Sequence, residues 1–194
     1  MNEKFIIYEG VNGVGKTTLL NKDVEIFKKQ GDSINIIHTS QHPLTHSIVM
    51  PSLNTSLSPV ERCLRYIAAQ SLLLDRVIEP SLAIGNYVLC DRFLLTTLVY
   101  HHNTIISQPW LYDSILAIFN KINPTIKLLV KPAEEIYAQL QMRRKYQNPV
   151  YVSKEYEKYK QNLDGSITIT EIDNIQKLFE YYANKFSFIE ILRN

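Results

Sequence analysis

Short apolar runs alternate along the chain with longer segments whose apolar positions recur every three or four residues, the pattern of strands interleaved with helices. Runs at residues 5–8, 33–38, 87–90, 125–130 and 166–170 predict five strands. Helical periodicity predicts segments over 15–29, closed by Gly31, then over 59–79, 94–102, 110–121, 133–145 and 153–163. A final helix takes in Ile175, Leu178, Phe179 and Tyr182. Residues 39–58, rich in Ser, Thr, His and Pro, predict a loop with room for a short helix. Ser58, Pro59 and Glu61 form a helix start, with a cap, a proline in the first turn and a carboxylate three residues on. Val60, Leu64, Ile67, Ser71, Leu74 and Ile78 then give the mostly apolar face of a long helix that Pro80 kinks or ends. The alternation predicts an α/β fold: one five-stranded parallel sheet with helices on both faces. Ligands bind such sheets at the carboxyl ends of the strands, which places Gly10, the residues after His38, Asp91 and Arg92 on one rim.

One rim segment carries a phosphate-binding pattern. Gly10, four residues, then Gly15, Lys16 and Thr17 complete G-x-x-x-x-G-K-[ST] between a predicted strand and a predicted helix. Glycines let the backbone curl so that N–H groups point at phosphate oxygens, and the following helix start adds its positive field. Gly10, Asn12, Gly13, Val14, Gly15, Lys16, Thr17 and Thr18 are therefore candidate ATP-binding residues. Lys16 reaches the outer phosphates and Thr17 is a candidate Mg²⁺ ligand. Asp91, ending an apolar strand, is the second candidate metal ligand, directly or through water. Arg92 projects into the same cleft and suits bidentate phosphate binding.

Two basic features stay open to two readings each. Arg65, Ala69, Leu72 and Arg76, with Arg62 nearby, share a helix face that is either a ligand face or a solvated basic one. Met142, Arg143, Arg144 and Lys145 precede an interrupted segment. They suit either a lid over transferring phosphates, around residues 143–153, or a basic helix end.

The 194 residues fit a single domain spanning 1–194, and 45% hydrophobic with 21% charged residues is ordinary for a soluble globular chain. A net charge of +2 implies neither nucleic-acid nor membrane binding. Cys63 and Cys90 form no C-x-x-C pair, and no signal-like or spanning stretch is present, which predicts a cytoplasmic protein. His38, His42 and His46, spaced by four, are broken by Pro43 and make a poor metal site.

These residues resemble the thymidylate kinases, nucleoside monophosphate kinases that phosphorylate dTMP. The resemblance rests on residues 5–18, on residues 73–93 with their Asp91, Arg92, Phe93 strand end, and on 123–126 and 132–135. It implies ATP-dependent conversion of dTMP to dTDP with Mg²⁺, ATP and a nucleoside monophosphate as partners, and a homodimer. Arg92 would hold the acceptor phosphate, with Lys16 and the lid arginines Arg143 and Arg144 completing the catalytic set. Asn12, Leu72, Arg76, Thr96, Thr97 and Tyr100 would line the acceptor pocket. The chain departs from the family's usual residues in Asn12 for a carboxylate, Leu72 for an aromatic ring, Val130 for an aspartate, and in lacking an arginine before Pro43. Its segment between lid and last strand is also shorter. A deoxynucleoside kinase of related fold and a nucleotide-binding protein of weak or no kinase activity are the alternative readings. The first of these needs a carboxylate base after the second strand, and residues 38–43 offer none.

Overall fold

The computed structural model describes residues 2–49, 57–146, 167–186 and 189–193, with the backbone alone for 144–146. Its strands are β1 (Asn2–Glu9), β2 (Ile34–His38), β3 (Tyr87–Asp91), β4 (Pro124–Val130) and β5 (Ile189–Arg193). They form one sheet in the order β2-β3-β1-β4-β5, and each neighbouring pair is parallel. Parallel neighbours need long crossovers, here made by helices. These are α1 (Lys16–Gln30), α2 (Pro43–Val49), α3 (Pro59–Leu73), α4 (Glu79–Ala83), α5 (Leu94–Tyr100), α6 (His102–Ser107), α7 (Pro109–Ile122), α8 (Ala133–Tyr146) and α9 (Ile169–Ala183).

The period-two rule sorts β1 onto two cores. Phe5 and Ile7 join Val88, Cys90, Ile126 and Leu128 against Ile67, Leu98, Phe119, Ile136 and Phe179, which come from five helices. Ile6 and Tyr8 join Leu89 on the other face, against Leu20 and Val24 of α1. Burial on both faces makes this central strand a continuous apolar run. Tyr8 Oη donates to Asp23 Oδ2 at 2.6 Å, and Lys127 Nζ donates to the same oxygen at 2.8 Å, which ties α1 to β1 and β4. Register sets Tyr8, Asp91 and His38 side by side at the carboxyl rim. Among the described residues no helix is long and apolar enough to cross a membrane.

The expected fold class holds, but its fifth strand lies elsewhere. Thr168 Oγ1 accepts from the Glu171 amide at 3.2 Å, and Glu171 Oε2 accepts from the Thr168 amide at 2.7 Å. That reciprocal capping box starts a helix at Ile169, so Ile169 and Thr170 are helical although their β-branched alternation reads as a strand. The fifth strand is Ile189–Arg193, a half-buried edge strand. The helix expected over 153–163 and most of the lid segment lie outside the described residues.

The expected start of α3 is present: Ser58 Oγ accepts from the Glu61 amide at 3.1 Å. Its buried face is Cys63, Ile67, Gln70 and Leu73, rotated from the expected one, and Leu64 is exposed. Pro80 does not end the helical path, which continues to Ala83. A proline cannot donate to the carbonyl four residues back and its ring clashes with it. The chain widens just before it into a π-helical turn, Leu74–Ile78, closed by the Glu79 amide on the Leu74 carbonyl.

Candidate active site at the phosphate loop

Residues 10–15 wrap from β1 into α1 with Gly10, Gly13 and Gly15 at φ of 131°, 85° and 106°. A Cβ on Gly10 would sit 2.6 Å from the Leu129 carbonyl oxygen, and one on Gly13 would press on Leu140 and Ile136 of α8. The loop is thus clamped between β4 and α8. α1 begins with no side-chain cap and no acidic residue in its first turn, which leaves its amide dipoles free to face an anion. Val14 packs in the core, so only its backbone can face a ligand, whereas Thr17 and Thr18 are exposed.

Lys16 is buried and its Nζ donates to the carbonyls of Gly10 at 3.1 Å and Val11 at 2.8 Å. Burial pushes its pKa well below the ordinary lysine value, with Arg92 adding like charge and Asp91 and Glu9 opposing. Arg143 adds to the same field, which brings α8 within electrostatic range of the loop.

Asp91 faces the start of α1. Its Oδ2 accepts from Thr17 Oγ1 at 3.2 Å and lies 3.6 Å from His38 Nδ1. Burial raises its pKa, but His38, Lys16 and Arg92 outweigh that and hold it below the usual carboxylate value, while Asp91 holds His38 above the usual imidazole value. Asp91 Oδ1 is buried with no hydrogen-bond partner among the described residues. A buried, ionised, unpartnered oxygen beside a threonine hydroxyl is a donor set that fits a hard divalent cation such as Mg²⁺.

Arg92 has a left-handed backbone, φ 69°, unusual for a residue with a side chain. Its carbonyl accepts from Thr39 Oγ1 at 2.7 Å and Cys90 Sγ at 3.1 Å, and its amide donates to the Tyr8 carbonyl at 3.1 Å. The guanidinium donates through Nη2 to Asn12 Oδ1 at 2.6 Å and through Nη1 to Thr96 Oγ1 at 3.0 Å, 5.9 Å from the Tyr100 ring centre. Glu9, fully buried, accepts at Oε1 from the Phe93 amide at 2.8 Å and the Thr96 amide at 3.2 Å, and at Oε2 from the Thr96 hydroxyl. Burial raises its pKa against the pull of Arg92, Thr96 and Phe93.

The structure therefore brings together the phosphate loop, Asp91, Arg92, Asn12, Thr96 and Tyr100. Thr97 is buried beside them, and its Oγ1 pairs with the Gln70 amide, 3.0 Å from Nε2 and 3.2 Å from Oε1. Arg76 is set apart. It is exposed on the π-helical turn, whose neighbour Glu79 binds Lys121 of α7 at 2.8 Å. The stripe predicted through Arg65, Ala69, Leu72 and Arg76 fails as one face. Ala69 is fully buried, Arg65 pairs with Glu61 at 3.0 Å, and the π turn breaks the 3.6-residue period before Arg76. Leu72 is half-buried two residues before that turn begins. Arg143 is exposed on α8, and the Arg144 side chain lies outside the described residues.

Sequence reasoning missed Glu9, Thr39 and Gln70. A carboxylate closing the apolar run of β1 and an amide on the apolar stripe of α3 were the available signals. A buried polar group needs partners, and partners mark a built site.

A family model described as thymidylate kinase matches residues 8–181. The chain is 36% identical over 108 residues to the thymidylate kinase of Blochmanniella floridana, covering 52% of this chain and 50% of that protein. It is 37% identical over 100 residues to that of Pelobacter propionicus, covering 50% and 46%. It is also 34% identical over 97 residues to that of Albidiferax ferrireducens, covering 50% and 45%. The matched stretch of the chain spans about half the length of these curated relatives.

Proposed function

The chain belongs to the thymidylate kinase family, and from that premise we propose that it transfers the γ-phosphoryl group of ATP to dTMP, releasing dTDP and ADP. The observation that carries this reading is Arg92, an arginine fork held across the phosphate loop beside the Thr17 and Asp91 pair.

In this reading the amides of residues 10–15 and of the α1 start cradle the triphosphate. Lys16, bonded to its own loop carbonyls without a ligand, turns its ammonium to the outer phosphates. An oxygen of the acceptor phosphate attacks the γ-phosphorus as the bond to the β-phosphate oxygen breaks, and ADP leaves with that electron pair. The nucleophile is already an oxyanion, so no general base is required, and catalysis is positioning and charge neutralisation. Thr17 and Asp91 would hold Mg²⁺, which supplies further neutralisation of phosphate charge when bound.

Arg92 binds the acceptor phosphate, and Arg143, with Arg144 beyond it, approaches from α8 as the lid. Gln70 and Thr97 take the base: an amide offers one donor and one acceptor side, the complement of a pyrimidine's imide edge. A hydroxyl acceptor would instead need a free carboxylate base. Glu9 is engaged through both oxygens with Phe93 and Thr96, and residues 38–43 contain none. Homodimer assembly and a cytoplasmic location complete the reading.

The test offers the purified protein ATP, Mg²⁺ and, separately, each nucleoside and nucleoside monophosphate, and follows ADP release. Product from dTMP and not from thymidine is expected. Product from nucleosides alone, or ATP binding with no transfer to any acceptor, overturns it.

A further inference from the structure

Glu9 sits beneath the acceptor arginine and touches neither phosphate site in the reading above. It ends β1, is 0% exposed, and joins three groups that follow Asp91. Its Oε1 accepts from the Phe93 and Thr96 amides, capping the start of α5 in place of a residue of that helix, since Phe93 provides no side-chain cap. Its Oε2 accepts from the Thr96 hydroxyl, and that hydroxyl in turn accepts from Arg92 Nη1 at 3.0 Å.

A hydroxyl has one proton. Because that proton is committed to Glu9, the Thr96 oxygen presents only lone pairs to Arg92. The chain from carboxylate through hydroxyl to guanidinium is thereby polarised in one direction. The guanidinium is held at a second point by Asn12 on the phosphate loop. A left-handed arginine whose long side chain would otherwise sample many rotamers is left with one orientation.

We infer that Glu9 is a positioning residue for the acceptor site, aiming the Arg92 guanidinium through the Thr96 hydroxyl. The inference rests on the assignment of Arg92 to the acceptor phosphate.

Glu9→Gln separates the two duties of this carboxylate. The amide oxygen still accepts from Phe93 and Thr96, and the reverse orientation would set NH₂ against those two N–H groups. The NH₂ then faces Thr96 Oγ1, which receives two donors and loses the acceptor for its own proton. The cap is kept and the link to Arg92 is broken.

The experiment is calorimetric titration of dTMP and, separately, of ATP into wild type, Glu9→Gln, Arg92→Ala and the double variant. Glu9→Gln is expected to weaken dTMP about tenfold, the size of one charge-assisted hydrogen bond, and to change ATP affinity much less, through the lost field at Lys16 alone. In the Arg92→Ala background it should weaken dTMP no further. Should Glu9→Gln fail to fold, Thr96→Ala breaks the same link, with the same expected loss, rescue by Thr96→Ser, and no added effect on Arg92→Ala. Full dTMP affinity in Glu9→Gln, equal weakening of ATP, or additive loss in the double variant overturns the inference while the acceptor assignment stands. Unchanged dTMP affinity in Arg92→Ala overturns that assignment, and the inference with it.

Discussion

Arg92 Nη2 donates to Asn12 Oδ1 at 2.6 Å, joining the end of β3 to the phosphate loop across 80 positions of sequence. The guanidinium meets a neutral amide there and no carboxylate directly, so no ion pair has to be broken at that contact before an acceptor phosphate arrives. Arg92→Ala should lower transfer to dTMP on the order of a thousandfold, as loss of a phosphate-clamping arginine does. The circular dichroism spectrum should stay that of the wild type. Transfer within a few fold of wild type would remove Arg92 from the acceptor site.

Lys16 is buried against two carbonyls with its ammonium partly stripped of water. Lys16→Met should lower kcat by two or more orders of magnitude, on the order of the loss for a transition-state charge partner. Its melting temperature should match or exceed the wild type, because a desolvated charge is replaced by an apolar chain of similar length. A fall in melting temperature would mean that the two carbonyl bonds outweigh the desolvation.

Two loop glycines should respond differently to one added methyl. At Gly10 a Cβ lies 2.6 Å from the rigid Leu129 carbonyl, whereas at Gly15 nothing lies within 4 Å and only the positive φ opposes it. Gly10→Ala should cost several kcal/mol more than the ~1 kcal/mol expected of Gly15→Ala. Urea denaturation of both variants reads the difference, and equal midpoints would contradict the clamp between β1 and β4.

His101 gives the fold an acid-side slope. Burial, with the like charge of Arg62 adding to it, pushes its pKa down to about 4, and the Tyr66 ring lies 5.5 Å away. The unfolded chain takes up this proton near the ordinary histidine value, about 6.5, and the folded chain only near 4. The unfolded state therefore binds more protons between those values, and stability rises with pH across that window. The loss on full acidification is on the order of 3 kcal/mol. His101→Gln should flatten the change in unfolding free energy between pH 6.5 and 5, measured by urea titration, and an unaltered slope would assign it to other groups.

Gln70 and Arg76 test the proposed base site from two directions. Gln70→Ala should raise the KM for dTMP about tenfold, because Thr97 is left with an unpaired buried hydroxyl and the base loses a partner. Arg76→Ala, at the position that the family resemblance assigns to the base, should raise that KM too. Steady-state kinetics with dTMP varied at saturating ATP reads both, and an unchanged KM in either variant would remove that residue from the base site.

The parts legible in the sequence were those fixed by short-range geometry. The spacing of Gly10, Gly15, Lys16 and Thr17 demands a loop of one shape, and Asp91 and Arg92 inherit their place from an apolar strand. The start of α3 at Ser58 was legible for the same reason. The parts that were not legible depend on distant partners. The Thr168 box competes with a β-branched run, and periodicity alone cannot rank the two. The face of α3 is set by where α5 packs, which pairs the buried Gln70 with Thr97. Glu9 reads as the polar end of a strand until Phe93 and Thr96, 84 and 87 residues away, are seen donating to it.

The turn Leu74–Ile78 has a meaning beyond making room for Pro80. A π turn holds one residue more than the α turn that it replaces. It therefore holds one residue of slack, so that the chain from Glu79 to Tyr87 can keep its register to β3 when the helix before it changes by one residue. Single-residue deletions within 74–78 should consequently survive in a deletion scan better than those within 59–73. The turn is a slack link that allows the pocket-lining half of this crossover and its strand-feeding half to change independently over evolutionary time.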